Sequence, residues 1–480
     1  MELHPLHRIS LTIKSQAIWI GPLLAAFVGI ILSHYGWKFP GCVAGAVATL
    51  CAVWWIFEPI PIPATSLIPL CVFPLTGVLN GSQVAAAYGH PLILLFLGGS
   101  LLSKAMEKTG THQQLALGTV KLIGGHSSQR IVFGFMIASA FLSMWISNTA
   151  TALMLLPIVL AVLEKAEDKK LAIPLLLGVA YGASIGGMGT HIGSPPNLVF
   201  MSNYQEFTGE TLTLIDWMYW GVPVVLIFLP LAGFWLTRNL KTGGKIEIPD
   251  PGKWTTAQKR VVIIFAFTAL GWMTRGNPFG GWQKLLDVPN ANDASVAFLG
   301  VLLLFLIPDG KKETITGSAG SEQKQGKLLD WEHAITIPWG IFILFAGGLA
   351  LASAFTATGI SSSLGNALGG LSSFHPFIMI IIVCLTVTFL TEVTSNTATS
   401  TMLMPVLAAA GAGAGIDPKL LMVPAALSAS CAFMLPVATP PNVIVFSAEK
   451  ITIQEMVKEG FLLNLMGTVI ISSVVYFLLA

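Results

Sequence analysis

The chain has 480 residues, enough for two or three soluble domains, yet only 10% are Asp, Glu, Lys or Arg, against about 25% in an ordinary globular protein. With 54% hydrophobic residues, 48 glycines and a mean hydropathy of +0.77, most of it would be insoluble as exposed surface, which excludes soluble enzymes and nucleic-acid binders. The formal net charge of +2, from 25 basic and 23 acidic residues, says little as a sum, because in a membrane protein the placement of the basic residues carries the information.

Apolar runs of about 20 residues, the length that crosses a hydrocarbon layer about 30 Å thick, predict an all-α polytopic membrane protein. Eleven spans are expected, at about 16–36, 40–58, 63–80, 88–108, 172–202, 217–239, 260–276, 294–308, 334–358, 418–447 and 460–480. Arg8 and Lys14 precede the first run as in a signal peptide, but the run lacks a small-residue cleavage site and reads as a retained helix. On the second span Gly41 and Gly45 form a GxxxG suited to close helix packing or a subunit contact. Two further segments, about 131–163 and 376–411, are apolar with a polar knot in the middle. Arms of about fifteen residues rise about 22 Å, short of a crossing, so each is expected to be a re-entrant hairpin; the alternative is two ordinary spans joined by a tight loop. The polar loops 241–259 and 309–330 and the GAGAG run Gly411–Gly415 read as connections without a fold of their own. Cys42, Cys51, Cys71, Cys384 and Cys431 all lie in apolar segments without a CxxC pair, so neither a disulfide framework nor a zinc site is expected.

If the N-terminus is cytoplasmic and both hairpins return to the face they entered, 21 of the 25 basic residues fall inside, leaving only Lys38, Arg275, Lys284 and Lys419 outside. That asymmetry is what insertion produces. Treating one hairpin as a crossing would reverse every later loop and spoil it.

The chain also repeats itself. SNTATALMLLPI at Ser147–Ile158 and SNTATSTMLMPV at Ser395–Val406 agree at eight of twelve positions. Gly98–Gly99 with Gly110 recurs as Gly347–Gly348 with Gly359, and SPPN at Ser194–Asn197 recurs as TPPN at Thr439–Asn442, at offsets of 249, 248 and 245 residues. Two halves, about 88–240 and 334–480, each read span, hairpin, broken span, span. Lys121, Arg130, Lys165 and Lys169 flank the first hairpin, whereas only Lys419 lies near the second, so the halves are inverted. Paired interrupted helices in inverted halves are the expected arrangement of a secondary transporter with its sites near the midplane.

Ser, Asn and Thr cap helix N-termini, and in Ser147-Asn148-Thr149 and Ser395-Asn396-Thr397 they stand where one half-helix stops and the next begins. Free N–H groups and the positive end of the following dipole make such a tip an anion site. The Pro-Pro pairs remove donors and free carbonyl oxygens, hard ligands suited to Na⁺. Neither tip nor break carries Lys or Arg, so a dianion there must be balanced by helix dipoles and bound cations. Glu392, replaced by Met144 in the first half, is an intramembrane acid and so either functional or held by structural hydrogen bonds. His191 is expected to be a satisfied structural histidine, with a proton site as the alternative.

The duplicated SNT tips followed by SPPN and TPPN resemble the divalent anion/sodium symporter family over nearly the whole chain. The resemblance implies a homodimeric elevator transporter whose scaffold would be about 16–128 and 241–360 and whose transport domain would be about 129–240 and 361–480. It implies substrate carboxylates held by Ser147, Asn148, Thr149, Ser395, Asn396 and Thr397, with Thr439 and Pro440 completing the pocket. One Na⁺ would lie among Ser143, Asn148 and Gly193, and a second among Thr391, Asn396 and Ala438. The function then expected is Na⁺-coupled import of C4-dicarboxylates across the plasma membrane. The rivals are citrate or sulfate as substrate, Na⁺-independent exchange, and, in another class, an anion channel. A membrane-embedded enzyme is disfavoured because no His/Asp/Glu or Cys/His cluster has catalytic spacing in the spans.

Overall fold

Caps, glycines and prolines decide where the apolar runs become helices and where they stop. The computed structural model describes residues 5–480 apart from 125–126, 167, 241–247, 277–279, 318–319 and 369–373. α1 (Pro5–His34) and α2 (Phe39–Phe57) pair with each other, and the expected span 63–80, with prolines at 63, 69 and 74, is then split into α3 (Ile62–Thr65) and α4 (Ile68–Thr76). α5 (Gly81–Tyr88) opens on an Asn80/Gln83 capping box, and α6 (Pro91–Thr109) ends at Gly110 with φ +70°, a left-handed turn that glycine adopts without strain. The turn leads into α7 (Thr111–Gly124), a helix the sequence reading did not anticipate.

The first hairpin is α8 (Ser128–Ser143) and α9 (Asn148–Lys165), followed by the broken span α10 (Ala172–Gly187) and α11 (Pro195–Thr208), and then α12 (Leu214–Thr237). α13 (Thr256–Met273), α14 (Gly281–Leu285) and α15 (Asp293–Leu306) lead to an antiparallel pair, β1 (Pro308–Gly317) and β2 (Gly320–Lys327). α16 (Trp331–Ala334) precedes α17 (Trp339–Thr358), which ends at Gly359 with φ +83° and turns into α18 (Ile360–Leu368), as Gly110 turns α6 into α7. The second hairpin is α19 (Pro376–Thr391) and α20 (Asn396–Gly413), its broken span α21 (Lys419–Ser428) and α22 (Pro440–Phe446), and its last span α23 (Ile453–Leu479).

Three expectations are corrected. Of the two polar loops, 309–330 holds the β-pair: its Thr-Ile-Thr run is β-branched and faces partners on the other strand, a pattern hidden by its polar composition. Residues 241–247 of the other loop lie outside the described residues. The GAGAG run is not a loose connection, because α20 continues to Gly413, where its backbone packs directly on Gly365 of α18. Among the described residues seven helices are long and apolar enough to cross a membrane on their own, and several of the expected spans are built differently. The spans expected at 63–80, 172–202 and 418–447 are divided, and α15 has 14 residues. α9 is one of the seven: at 18 residues it rises about 27 Å, longer than the short arm expected of it.

The centre of the molecule is built from the broken spans. Pro174–Gly187 of α10 and Leu420–Ser428 of α21 are buried at every position. The two repeats interlock there, since α11 packs along α20 while α22 packs against α9 and α10. Tyr181 of α10 donates to the Phe433 carbonyl at 2.7 Å. A glycine in each last span lets it close on the break of its own half: Gly221 of α12 lies against the Met188 carbonyl and Gly460 of α23 against the Phe433 carbonyl, equivalent positions with no room for a Cβ. Gly221→Ala and Gly460→Ala should each destabilise the protein by about 1–3 kcal/mol through overpacking. The check is the melting temperature of the purified variants in detergent, where an unchanged value would contradict the packing.

Candidate functional site

At each hairpin tip the chain leaves a helix and starts another five residues later, and the asparagine of each SNT is the first residue of the second arm. Its carboxamide is oriented by a hydroxyl at the end of the first arm. Ser143 donates to Asn148 Oδ1, and Thr391 donates to Asn396 Oδ1 at 2.6 Å. With the oxygen held, the N–H₂ end of each amide is left unspent: neither Nδ2 makes a hydrogen bond among the described residues, and the hydroxyls of Ser147, Thr149 and Thr397 make none either. Ser395 accepts from the Ala398 N–H at 3.5 Å, and Thr439 caps α22 by accepting from Asn442 N. Ser147 and Pro440 are exposed, Asn148, Thr149, Ser395 and Asn396 are half-buried, and Thr397 and Thr439 are buried. The tips therefore present donors and no cation, as an anion site built on helix ends requires.

Behind each tip lies a set of oxygens. A Cβ on Gly187 would sit 2.9 Å from Asn148 Oδ1 and 3.0 Å from the Gly193 carbonyl, and one on Gly193 would sit 2.7 Å from the Gly187 carbonyl and 3.0 Å from that of Ser143. Ser143, Asn148 and Gly193, expected together, are together, and Gly187 joins them. In the second half Thr391 Oγ1 also lies 3.2 Å from the Ala429 carbonyl, so Thr391 and Asn396 meet Ala429. Ala438, expected there, ends a short 3₁₀ turn in which its N–H bonds to Leu435 as that of Gly193 bonds to Thr190, and its carbonyl holds the place in the second break that the Gly193 carbonyl holds in the first. Gly187 and Ala429 were missed because a backbone carbonyl has no signature in the sequence; the only clue to Gly187 is that α10 ends in a Gly-Gly pair. These neutral oxygens, with no group of three His, Cys, Asp or Glu among the described residues, fit a hard monovalent cation better than a transition metal.

The two sets are linked where the breaks touch. Ser194, which follows Gly193 and caps α11, makes no capping bond and instead lies 3.2 Å from Ser430 Oγ, next to Ala429. A path of polar groups, buried between its two half-buried ends, thus runs from Asn148 through Gly193, Ser194, Ser430 and Ala429 to Thr391 and Asn396.

The halves differ in how the hairpin holds its break. In the first, Thr190 donates its hydroxyl to the Met144 carbonyl. In the second, Glu392, at the position of Met144, accepts from Met434 N at 2.8 Å, Leu435 N at 3.0 Å and Asn464 Nδ2 at 2.7 Å, the satisfied arrangement a buried carboxylate requires. His191 is not the satisfied histidine expected: it is fully buried, edge-on to Trp272 of α13, with neither ring nitrogen hydrogen-bonded among the described residues.

A family model described as a citrate transporter matches residues 52–422. The sodium-dependent dicarboxylate transporter SdcS of Staphylococcus saprophyticus is 39% identical over 96% of this chain and 90% of that protein, and SdcS of Staphylococcus aureus MRSA252 is 38% identical over the same shares. Two solved transporters share the fold: YdaH of Alcanivorax borkumensis, with TM-score 0.56 and 14% identity over 90% of this chain and 98% of that one, and MtrF of Neisseria gonorrhoeae, an antimetabolite efflux pump, with TM-score 0.57 and 12% identity over 84% and 83%.

Removing the Glu392 carboxyl leaves three donors unpaired, each costing about 1–3 kcal/mol when buried. Glu392→Ala should therefore lower the melting temperature more than Glu392→Gln, which keeps one acceptor oxygen. Dye labelling of the buried cysteines during heating measures both, and equal melting temperatures would show that the carboxylate does not hold the break.

Proposed function

The chain belongs to the citrate transporter family, the divalent anion/sodium symporters that its paired motifs resemble, and on that premise we propose that it imports C4-dicarboxylates such as succinate, malate or fumarate across the plasma membrane by Na⁺ symport. It is a multi-pass membrane transporter rather than an enzyme. The observation that carries the reading is the two-ended asparagine at each tip: Oδ1 held by a hydroxyl of the first arm beside a set of hard oxygens, Nδ2 unspent among the described residues. A cation among Ser143, Asn148, Gly187 and Gly193, or among Thr391, Asn396, Ala429 and Ala438, puts positive charge within one carboxamide of the anion. With no Lys or Arg at the tips, a dicarboxylate held by Ser147, Asn148, Thr149, Ser395, Asn396, Thr397, Thr439 and Pro440 has its charge balanced by bound Na⁺ and helix dipoles. Each ligand then raises the affinity for the other, which is coupling. The names of the relatives at 38–39% identity point the same way.

The buried interlocking of α9 with α22 and of α11 with α20 supports one moving body. In this reading residues 129–240 and 361–480 form the transport domain and 16–128 and 241–360 the scaffold of a homodimer, with elevator motion and a cytoplasmic N-terminus. At least two Na⁺ accompany each substrate, one per tip.

In proteoliposomes, an inward Na⁺ gradient should drive accumulation of labelled succinate, and Asn148→Ala and Asn396→Ala should each lower uptake about a hundredfold, the upper end of an ordinary coupling energy, while eluting as folded protein. Accumulation indifferent to Na⁺ would make the protein an exchanger. Preference for citrate or sulfate in competition would change the substrate, and non-saturable flux without counterflow would make it a channel.

A further inference from the structure

Each Pro-Pro-Asn break ends in an asparagine whose amide donors are turned onto the break itself. Rather than offering an oxygen to the site, Asn197 turns its amide back over the break and donates to the Gly187 carbonyl at 2.9 Å and the Thr190 carbonyl at 2.7 Å. Asn442 does the same in the second half, donating to the Ala432 carbonyl at 2.9 Å and the Leu435 carbonyl at 3.0 Å. The acceptors stand ten and seven residues before the asparagine in both halves. Both side chains are fully buried, and both Oδ1 atoms lack a partner among the described residues. A buried acceptor without a partner is unfavourable, so the same orientation in both repeats shows that the donor end decides how these amides sit.

The reason lies in what surrounds the donors. The carbonyls of Ser143, Gly187 and Gly193 crowd together with Asn148 Oδ1, and closely spaced acceptors with few donors among them repel one another while no cation is bound. Asn197 brings N–H groups to that cluster by holding Gly187, the last residue of α10, to the middle of the unwound segment, which folds Gly193 back onto Gly187. Asn442 closes the second break between Ala432 and Leu435, three residues before Ala438.

We infer that Asn197 and Asn442 are positioning residues for sodium: each keeps its break folded in the cation-binding shape before the cation binds, so that binding energy is not spent on ordering the loop. The inference rests on the Na⁺-symport reading and adds to it two residues that touch neither substrate nor, through their donors, the cation.

The test is the Na⁺ dependence of succinate uptake by full-length Asn197→Ala, Asn442→Ala and the corresponding Ser variants in proteoliposomes, with the Na⁺-dependent rise in melting temperature measured on the same samples. Loss of two buried hydrogen bonds should raise the Na⁺ concentration for half-maximal uptake about tenfold. The maximal rate at saturating Na⁺ should stay within about twofold, and the thermal response should move to the same higher Na⁺ concentrations. Serine, which restores one donor, should fall between alanine and wild type. An unshifted Na⁺ dependence, or a lower maximal rate at normal Na⁺ affinity, would overturn the positioning role, and so would failure of both the Ala and the Ser variants to fold. A wild-type protein indifferent to Na⁺ would instead overturn the symport reading itself, an outcome seen before any variant is compared.

Discussion

A peptide group that leaves a helix inside a bilayer has no water to turn to, so every interruption of a membrane helix must be supplied with partners by the protein around it. This chain interrupts itself four times near its centre, at two hairpin tips and two Pro-Pro breaks, and much of its interior chemistry answers those interruptions. Trp217 Nε1 bonds to the Met188 carbonyl at 2.8 Å, Tyr181 to that of Phe433, and Glu392 to the N–H groups of Met434 and Leu435. At the tips, by contrast, the amide ends of Asn148 and Asn396 and the hydroxyls of Ser147, Thr149 and Thr397 stay available.

The repetition makes the architecture economical without making it symmetric. Gly221 and Gly460 meet equivalent carbonyls, and Gly110 and Gly359 turn equivalent helices. Yet the first break is tied to its hairpin by a neutral threonine hydroxyl and the second by a carboxylate. The first break also meets α13 through His191 and Trp272, a contact the second does not reproduce among the described residues. Two homologous halves thus give similar oxygen sets in different electrostatic surroundings.

The tips and breaks were legible in the sequence because their chemistry is written in side chains: Ser-Asn-Thr caps, Pro-Pro interruptions, and a duplication that places them twice. What escaped was written in the backbone or in long-range contact. Gly187 and Ala429 contribute carbonyls, which every residue has. Gly221 and Gly460 recur at an offset of 239 residues, but a glycine in an apolar helix carries no sign of what it faces. The split of 63–80 was overridden by hydropathy although its three prolines, Pro63, Pro69 and Pro74, were visible. The β-pair at 308–327 was hidden because its one β-branched run, Thr314-Ile315-Thr316, is outnumbered by charged and polar residues on both strands.

The crossing of α11 with α20 and of α22 with α9 has a consequence for biosynthesis. α11 leaves the ribosome about 200 residues ahead of the helix it will lie against, which at about 5–20 residues per second is an interval on the order of 10–40 s. During that interval the first half can insert but cannot finish, and lipid or an insertion chaperone must cover the surface reserved for its twin. A nascent chain stalled before α20 would hold the most exposed interior of its history, which makes the second repeat the step that commits the molecule to its final form.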